Sequence, residues 1–139
     1  MITTVEEFEH RLKPLDPEQV DFVVRADELV EALTQELAPL VYEAVFRFFE
    51  AHPAADCGAP GTLVHHVEDY YPNYVLALRQ SVGRTPSYNG VLMINRILNS
   101  KLSDQEQAEY LAVLKSVITN ASAPDTVRAM AKGFVARHT

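Results

Sequence analysis

The chain has 139 residues and a mass of 15.5 kDa, which predicts one domain over residues 1–139 with a self-sufficient core. Its 19 acidic and 12 basic residues give a net charge of −7, which argues against general nucleic-acid binding because that function needs a basic surface. The single cysteine excludes an intramolecular disulfide, and no membrane-spanning run or signal peptide is evident, so we expect a cytoplasmic protein with no membrane partner.

The charge is distributed unevenly along the chain. Residues 1–70 contain 15 acids and four bases, a net charge of −11, whereas residues 71–139 contain four acids and eight bases, a net charge of +4. Such an asymmetry is a signal about a binding partner rather than about the fold. The alternative is that the acids form ordinary solvated helix faces.

The N-terminal third has the start and stop signals of short helices. Thr4-x-x-Glu7 fits a capping box, and Pro14 ends the helix that it opens. Asp16-Pro17 predicts the next start, and the apolar face after it comprises Val20, Val23, Val24, Val30, Leu33 and Leu37. Pro39 opens a helix that is apolar around most of its circumference, so we expect it to be central. Its apolar residues are Leu40, Val41, Tyr42, Ala44, Val45, Phe46, Phe48 and Phe49.

A loop and two further helices follow this central helix. His52-Pro53 ends it, and the glycines and prolines between Ala54 and Gly61 predict a loop. Thr62 is a candidate cap for a helix with an apolar face of Leu63, Val67, Tyr70 and Tyr71. Pro72 then begins a helix that ends near Gly83, with apolar residues Val75, Leu76, Leu78 and Val82.

The C-terminal part repeats these signals. Thr85-Pro86 predicts the start of a helix that contains residues 91–98, and Ser103-x-x-Glu106 is a second capping box. Pro124 opens the last helix. The residues predicted to face inward on the last two helices are Ala108, Leu111, Leu114, Ile118 and Ala121, then Val127, Met130, Ala131 and Phe134.

These signals predict an all-α fold of seven or eight short helices without strands. Helix starts at Pro39, Pro86 and Pro124 suggest stacked helical hairpins. The segment from Asp125 to Ala131, with Val127-Arg128 near its start, is similar to the HEAT-repeat pattern. A compact helical bundle is the alternative.

A catalytic or metal site is not predicted. At helical spacing His65 shares a face with Glu68 and Asp69, while His66 points toward Tyr70, so the face offers one histidine and two acids to a hard cation. Cys57 has no recognisable histidine partner, and no glycine pattern resembles a phosphate-binding loop. We therefore expect a protein that is not an enzyme and has no cofactor; a metal-dependent enzyme using the His65 face is a minor alternative.

Residues 57–100 carry the densest pattern in the chain. It includes Gly58-x-Pro60-Gly61-x-Leu63-Val64-His65, Glu68-x-Tyr70-Tyr71-x-x-Tyr74, Arg84-Thr85-Pro86-Ser87 and Met93-Ile94-Asn95-Arg96-Ile97-Leu98-Asn99. This stretch resembles a bacterial family of small all-α proteins, the immunity proteins of polymorphic-toxin and contact-dependent growth inhibition systems. The resemblance implies a HEAT-like fold, no catalysis, and tight binding of one cognate toxin domain by a protein that is monomeric beforehand.

Four of the six tyrosines lie within 19 positions, and tyrosine is favoured at interface hot spots. Acids beside aromatic residues suit a basic partner, such as the cleft of a nuclease toxin. We therefore predict a partner-binding surface that comprises Asp56, His65, Glu68, Asp69, Tyr70, Tyr71, Tyr74 and Tyr88.

Several of these residues have structural alternatives. Tyr71 and Tyr74 also fit half-buried core positions, and Arg96 is placed to bridge to an acid of the N-terminal half. Asn95 and Asn99 suit hydrogen bonds to a helix end or a neighbouring loop as well as to a partner.

From the resemblance and the tyrosine cluster, the leading predicted function is toxin neutralisation by occlusion. The second is a HEAT-like adaptor or regulatory module without a toxin partner.

Overall fold

The computed structural model describes residues 1–139 and confirms the all-α prediction with eight α-helices. They are α1 (Val5–Leu12), α2 (Phe22–Glu31), α3 (Tyr42–Ala51), α4 (Thr62–Glu68), α5 (Val75–Arg84), α6 (Tyr88–Leu98), α7 (Asp104–Ile118) and α8 (Asp125–Arg137). A short 3-10 helix at Ala38–Leu40 precedes α3. The only β-type pairing is one isolated bridge between Ile2 and Leu33. None of the helices combines the length and apolar character that crossing a bilayer requires.

The helices stack as hairpins in two layers. The odd-numbered helices form one layer, in which α1 contacts α3, α3 contacts α5, and α5 contacts α7. In the other layer α2 packs on α4, and α6 packs on α8. Among helices adjacent in sequence, α1 pairs with α2, α5 with α6, α6 with α7 and, most extensively, α7 with α8. This alternation is the one that stacked helical hairpins produce, as the sequence predicts.

The core runs through α3 and α6. The prediction that α3 is central is confirmed, because half of its ten residues are buried: Ala44, Val45, Phe46, Phe48 and Phe49. Helix α6 contacts α3, α5, α7 and α8, and eight of its eleven residues are buried. The 32 buried hydrophobic residues of the chain form one continuous cluster.

Of the two predicted capping boxes, the second is complete, and the first is limited to the bond that Thr4 accepts. The Thr4 hydroxyl accepts a hydrogen bond from the Glu7 amide at 3.1 Å, and α1 ends at Leu12, before Pro14. Ser103 and Glu106 form a complete capping box, in which each side chain accepts a bond from the other residue's amide. These bonds satisfy amide groups that have no partner within the helix, so the cap sets where the helix begins.

Two predicted helix starts are wrong because a side-chain bond nearby sets a different start. Asp16 accepts a bond from the Glu18 amide at 2.9 Å, which makes a turn, and α2 begins only at Phe22. Helix α6 begins at Tyr88 because Ser87, not Thr85, accepts the bond from the Gly90 amide.

The other two corrections concern α4 and α5. Thr62 is the first residue of α4 rather than its cap, since Gly61 occupies the cap position. The Thr62 hydroxyl donates to Asp27 of α2 instead. Gly83 lies inside α5, which extends to Arg84.

The predicted apolar faces of the α2 and α7 regions are only partly right, because Leu33, Leu37 and Leu114 are buried but other members of each face are not. Helix α2 buries Phe22, Ala26 and Leu29, while Val20, Val23 and Val24 are exposed. The reason is a distant partner: the Phe22 ring stacks on the Phe48 ring of α3 at a centroid distance of 5.8 Å. Helix α7 buries Tyr110, Leu114 and Val117 but exposes Ala108, and Ala121, also predicted to face inward, is exposed in the turn after the helix. Leu40 and Leu76 are likewise exposed.

Candidate partner-binding surface

The four clustered tyrosines are divided between the two ends of α6. Tyr88 is the first residue of this helix, and its amide donates to the Pro53 carbonyl at 2.7 Å. Tyr71 and Tyr74 instead line a cleft with Arg96 and Ile97, near the last turn of α6. Eight residues of α-helix separate Tyr88 from Arg96, a rise of about 12 Å. The predicted cluster is therefore two separate places on the surface.

Glu68 does not face solvent as an unpaired acid, which corrects the sequence-based expectation. Its carboxylate accepts two hydrogen bonds from the Arg96 guanidinium, from Nε at 2.7 Å and from Nη2 at 2.9 Å. The bridge ties the last residue of α4 to α6, and the bond to Glu68 raises the pKa of Arg96. Arg96 thus pairs with an acid of the N-terminal half, one of the structural alternatives for this residue.

Tyr74 is a core residue rather than a surface anchor. Its side chain is only 2% exposed, and its ring meets the rings of Phe46 and Tyr71 edge to face at 6.4 and 5.9 Å. Burial raises the pKa of its phenol. Tyr74 therefore positions Tyr71 and is not itself available to a partner.

Four of the predicted partner-binding residues remain together and accessible: His65, Asp69, Tyr70 and Tyr71. We call them the 65–71 surface. His65 and Asp69 are exposed and four residues apart, so they lie on one face at the end of α4. Tyr71 is 48% exposed and Tyr70 is half-buried. The surface therefore offers the rings of Tyr70 and Tyr71 and a single carboxylate, that of Asp69, because Arg96 engages the carboxylate of Glu68.

The turn that carries the 65–71 surface is held by its own backbone. The amides of Asp69, Tyr70 and Tyr71 donate to the carbonyls of His65, Val67 and Glu68 at 3.1–3.2 Å. The Tyr70 ring rests edge to face on His66 at 5.4 Å. Ordered rings lose little conformational freedom when a partner binds, so this surface is preorganised.

His66 has a structural role that the sequence did not predict, although the direction of its side chain was predicted. Its Nε2–H group donates to the Ala38 carbonyl at 2.7 Å, which fastens α4 to the 3-10 helix before α3. As predicted, the His66 ring lies next to Tyr70. No local signal could identify Ala38 as its partner, because 28 residues separate them.

Asp56 and Tyr88 belong to the other place, where the loop after α3 meets the start of α6. Asp56 is exposed, and its carboxylate accepts a bond from the Gly58 amide at 3.0 Å. The Asn89 side chain donates to the carbonyls of Ala55 and Asp56, which holds the loop on α6. Cys57 is buried in this loop, and burial raises the pKa of its thiol to about 12.

The two asparagines near the end of α6 differ in their surroundings. Asn95 is buried, and its side-chain oxygen accepts a hydrogen bond from His138 Nε2 at 2.8 Å, close to the C-terminus. This contact agrees with the structural alternative for Asn95. Asn99 is exposed and lines the cleft beside Tyr71.

No group of three or more His, Cys, Asp or Glu side chains is arranged to hold a metal ion. The metal-enzyme alternative requires His65, Glu68 and Asp69, but Arg96 occupies both oxygens of Glu68. His65 Nδ1 lies 3.9 Å from the same carboxylate. Comparison of the chain with protein-family models, curated protein sequences and solved structures found no match.

Proposed function

We propose that this chain is an immunity protein that binds a cognate toxin domain and neutralises it by occlusion. The observation that carries the proposal is the 65–71 surface, an ordered aromatic turn with a free carboxylate at its edge. Tyr71 offers a broad apolar contact and a hydroxyl, and Asp69 offers a charge to a basic partner. The proposal also draws on the resemblance of residues 57–100 to bacterial immunity proteins.

The partner in this proposal is a basic protein domain, for example a nuclease whose cleft binds nucleic acid. The net charge of −7 favours such a partner through long-range attraction. The cleft between Tyr71 and the last turn of α6 has Ile97 and the Glu68–Arg96 bridge in its walls. The cleft, with a volume of about 360 Å³, has room for one side chain from the partner.

The second candidate is an adaptor or regulatory module with no toxin partner. The stacked hairpins favour it, because layers of this kind present extended binding surfaces. An adaptor predicts the same tyrosine surface but no protection of cells. The two functions therefore differ in one observable, growth in the presence of a toxin.

The test is expression of this chain together with the protein encoded by the adjacent upstream gene, which the proposal predicts to end in a toxin domain. Cells that make both proteins should grow, and an inactivated toxin domain should co-purify with the chain. Tyr71→Ala should weaken protection, whereas Leu76→Ala, which removes an even more exposed apolar side chain from α5, should not. Absence of both protection and co-purification would reject the immunity function and favour the adaptor.

A further inference from the structure

Three valines at the start of α2 are exposed although valine is usually buried. Val20 is fully exposed, and Val24 and Val23 are 57% and 46% exposed. Val24 projects away from the core because Phe22, Ala26 and Leu29 take the opposite side of the helix. Val20 lies two residues before α2, and Val23 and Val24 lie in its first turn. The three exposed side chains fall within five consecutive positions, and we call them the valine patch.

Carboxylates surround the valine patch. Residues 16–31 contain six acids and a single base, Arg25, which Asp21 pairs at 2.6 Å. Glu28 and Glu31 are exposed and take part in none of the ion pairs of the chain. They follow Val24 by about one and two helical turns, roughly 6 and 10 Å.

The valine patch is rigidly supported. The Phe22–Phe48 stack fixes the first turn of α2 on α3, and the Thr62 hydroxyl binds Asp27 in the second turn. The loop after α3 closes one side: a β-carbon placed on Gly58 would be only 3.4 Å from the Val23 side chain. The patch is therefore an ordered surface, which lowers the entropic cost of docking.

We infer that the valine patch with Glu28 and Glu31 is a docking surface for a basic protein, namely the toxin domain, so the inference rests on the proposed function. The surface fits a partner that presents an apolar side chain to Val20 and Val24 and basic groups one and two turns farther along α2. Such a partner would meet α2 in addition to the 65–71 surface.

Charge disfavours the simplest rival, a second copy of this chain. Two copies that met through this face would oppose two segments of net charge −5. The one base in the segment is already engaged by Asp21, so it is not free to relieve the repulsion. Like charges across an interface oppose association, whereas a basic partner gains from the same carboxylates.

The test compares matched exposed substitutions in binding to the inactivated toxin domain encoded by the adjacent upstream gene. The double variant Val20→Asn, Val24→Asn should raise Kd at least tenfold, and Leu76→Asn on α5 should leave it within twofold. Glu28→Gln with Glu31→Gln should slow association, and Glu36→Gln with Glu43→Gln, also exposed carboxylates, should slow it less. All variants should retain the parent's melting temperature.

The outcomes separate this inference from the proposed function. If the toxin domain binds the valine variants as tightly as the parent, the docking surface is wrong and the immunity function stands. If the toxin domain neither binds nor is neutralised, the immunity function fails. The surface is then tested by NMR titration of the labelled chain with an amphipathic peptide of leucine and lysine.

Two results of that titration would together support a basic docking partner. The chemical-shift changes should be confined to the valine patch, Glu28 and Glu31, and the double valine variant should abolish them. Equal shifts with a leucine–glutamate peptide, or shifts elsewhere, would overturn it. Concentration-dependent dimerisation of the parent chain that the valine variant abolishes would assign the patch to a second copy instead.

Discussion

Glu68 and Arg96 form a two-point ion pair that joins the last residue of α4 to α6 across 28 positions of sequence. The pair lies directly beneath the exposed tyrosine turn. Because its carboxylate is engaged by Arg96, Glu68 is not available to a partner. The ion pair instead holds α4 against α6. The negative charge beside the tyrosines is consequently reduced to Asp69.

Arg96→Met should destabilise the protein by about 1–3 kcal/mol, because it leaves a largely buried carboxylate without its charged partner. The Glu68 side chain is only 19% exposed. Arg25→Met is the matched control, since it breaks an ion pair with Asp21 in which both side chains are more than half exposed. It should cost no more than about 0.5 kcal/mol. Urea denaturation of both variants measures the difference, and equal midpoints would show that the Glu68–Arg96 bridge adds no stability.

Phe48→Ala should cost about 3–5 kcal/mol of unfolding free energy, the usual cost of truncating a buried phenylalanine. The side chain is 5% exposed, stacks on Phe22, and lies 4.6 Å from the His52 ring. Leu40→Ala just before α3 should stay within about 0.5 kcal/mol, because Leu40 is exposed. Chemical denaturation compares the two; similar midpoints would mean that the α2–α3 contact is not part of the core.

The Glu9–Arg47 pair should make stability depend on pH. The hydrogen bond from Arg47 is the main cause that lowers the pKa of Glu9 in the folded protein. A carboxyl with a lowered native pKa stabilises the fold above its unfolded pKa of about 4.3, and this contribution is lost as the pH falls through the native value. The stability gap between the parent and Glu9→Gln should therefore be largest at neutral pH and shrink in acid.

Thermal denaturation at neutral pH and at about pH 3 measures this gap. Glu6→Gln, which removes an exposed carboxylate from the same helix, is the control for the loss of one charge. A gap for Glu9→Gln that does not change with pH would show that the pair makes no pH-dependent contribution.

The Cys57 thiol should resist modification while the protein is folded. Its pKa of about 12 leaves almost no thiolate near pH 8, and the thiolate is the reactive form. The fraction of Cys57 present as thiolate should be lower than that of an ordinary thiol by on the order of a thousandfold. The reaction with a disulfide reagent should be slower by the same factor. Denaturant should restore a normal rate. Rapid labelling of the native protein would contradict the burial of this side chain.

The features predicted from sequence are those decided locally. The Ser103–Glu106 capping box and the Thr4 cap depend on residues three positions apart, so their pattern is visible in the sequence. The apolar circumference of α3 is equally local. The similarity of the last helix to the HEAT pattern predicts that Val127 and Ala131 face inward, and both are fully buried.

The features that sequence could not predict depend on distant partners. The orientation of α2 is set by Phe22 meeting Phe48, and periodicity alone cannot distinguish that face from the one with Val20 and Val24. The tyrosines looked like one cluster because they are close in sequence, yet α6 separates Tyr88 from the others. Whether Glu68 was free or paired depended on where α6 placed Arg96.

The most direct test of the proposed function is the binding rate between this chain and the inactivated toxin domain at two salt concentrations, measured by surface plasmon resonance. Attraction between exposed charges is screened by salt, so the association rate should fall steeply as ionic strength rises, and Asp69→Lys should lower it further. Tyr71→Ala should mainly speed dissociation, because an aromatic anchor holds the complex after docking. No binding at all would contradict the proposed function. An association rate that does not change with salt, together with both variants binding as tightly as the parent, would contradict it as well.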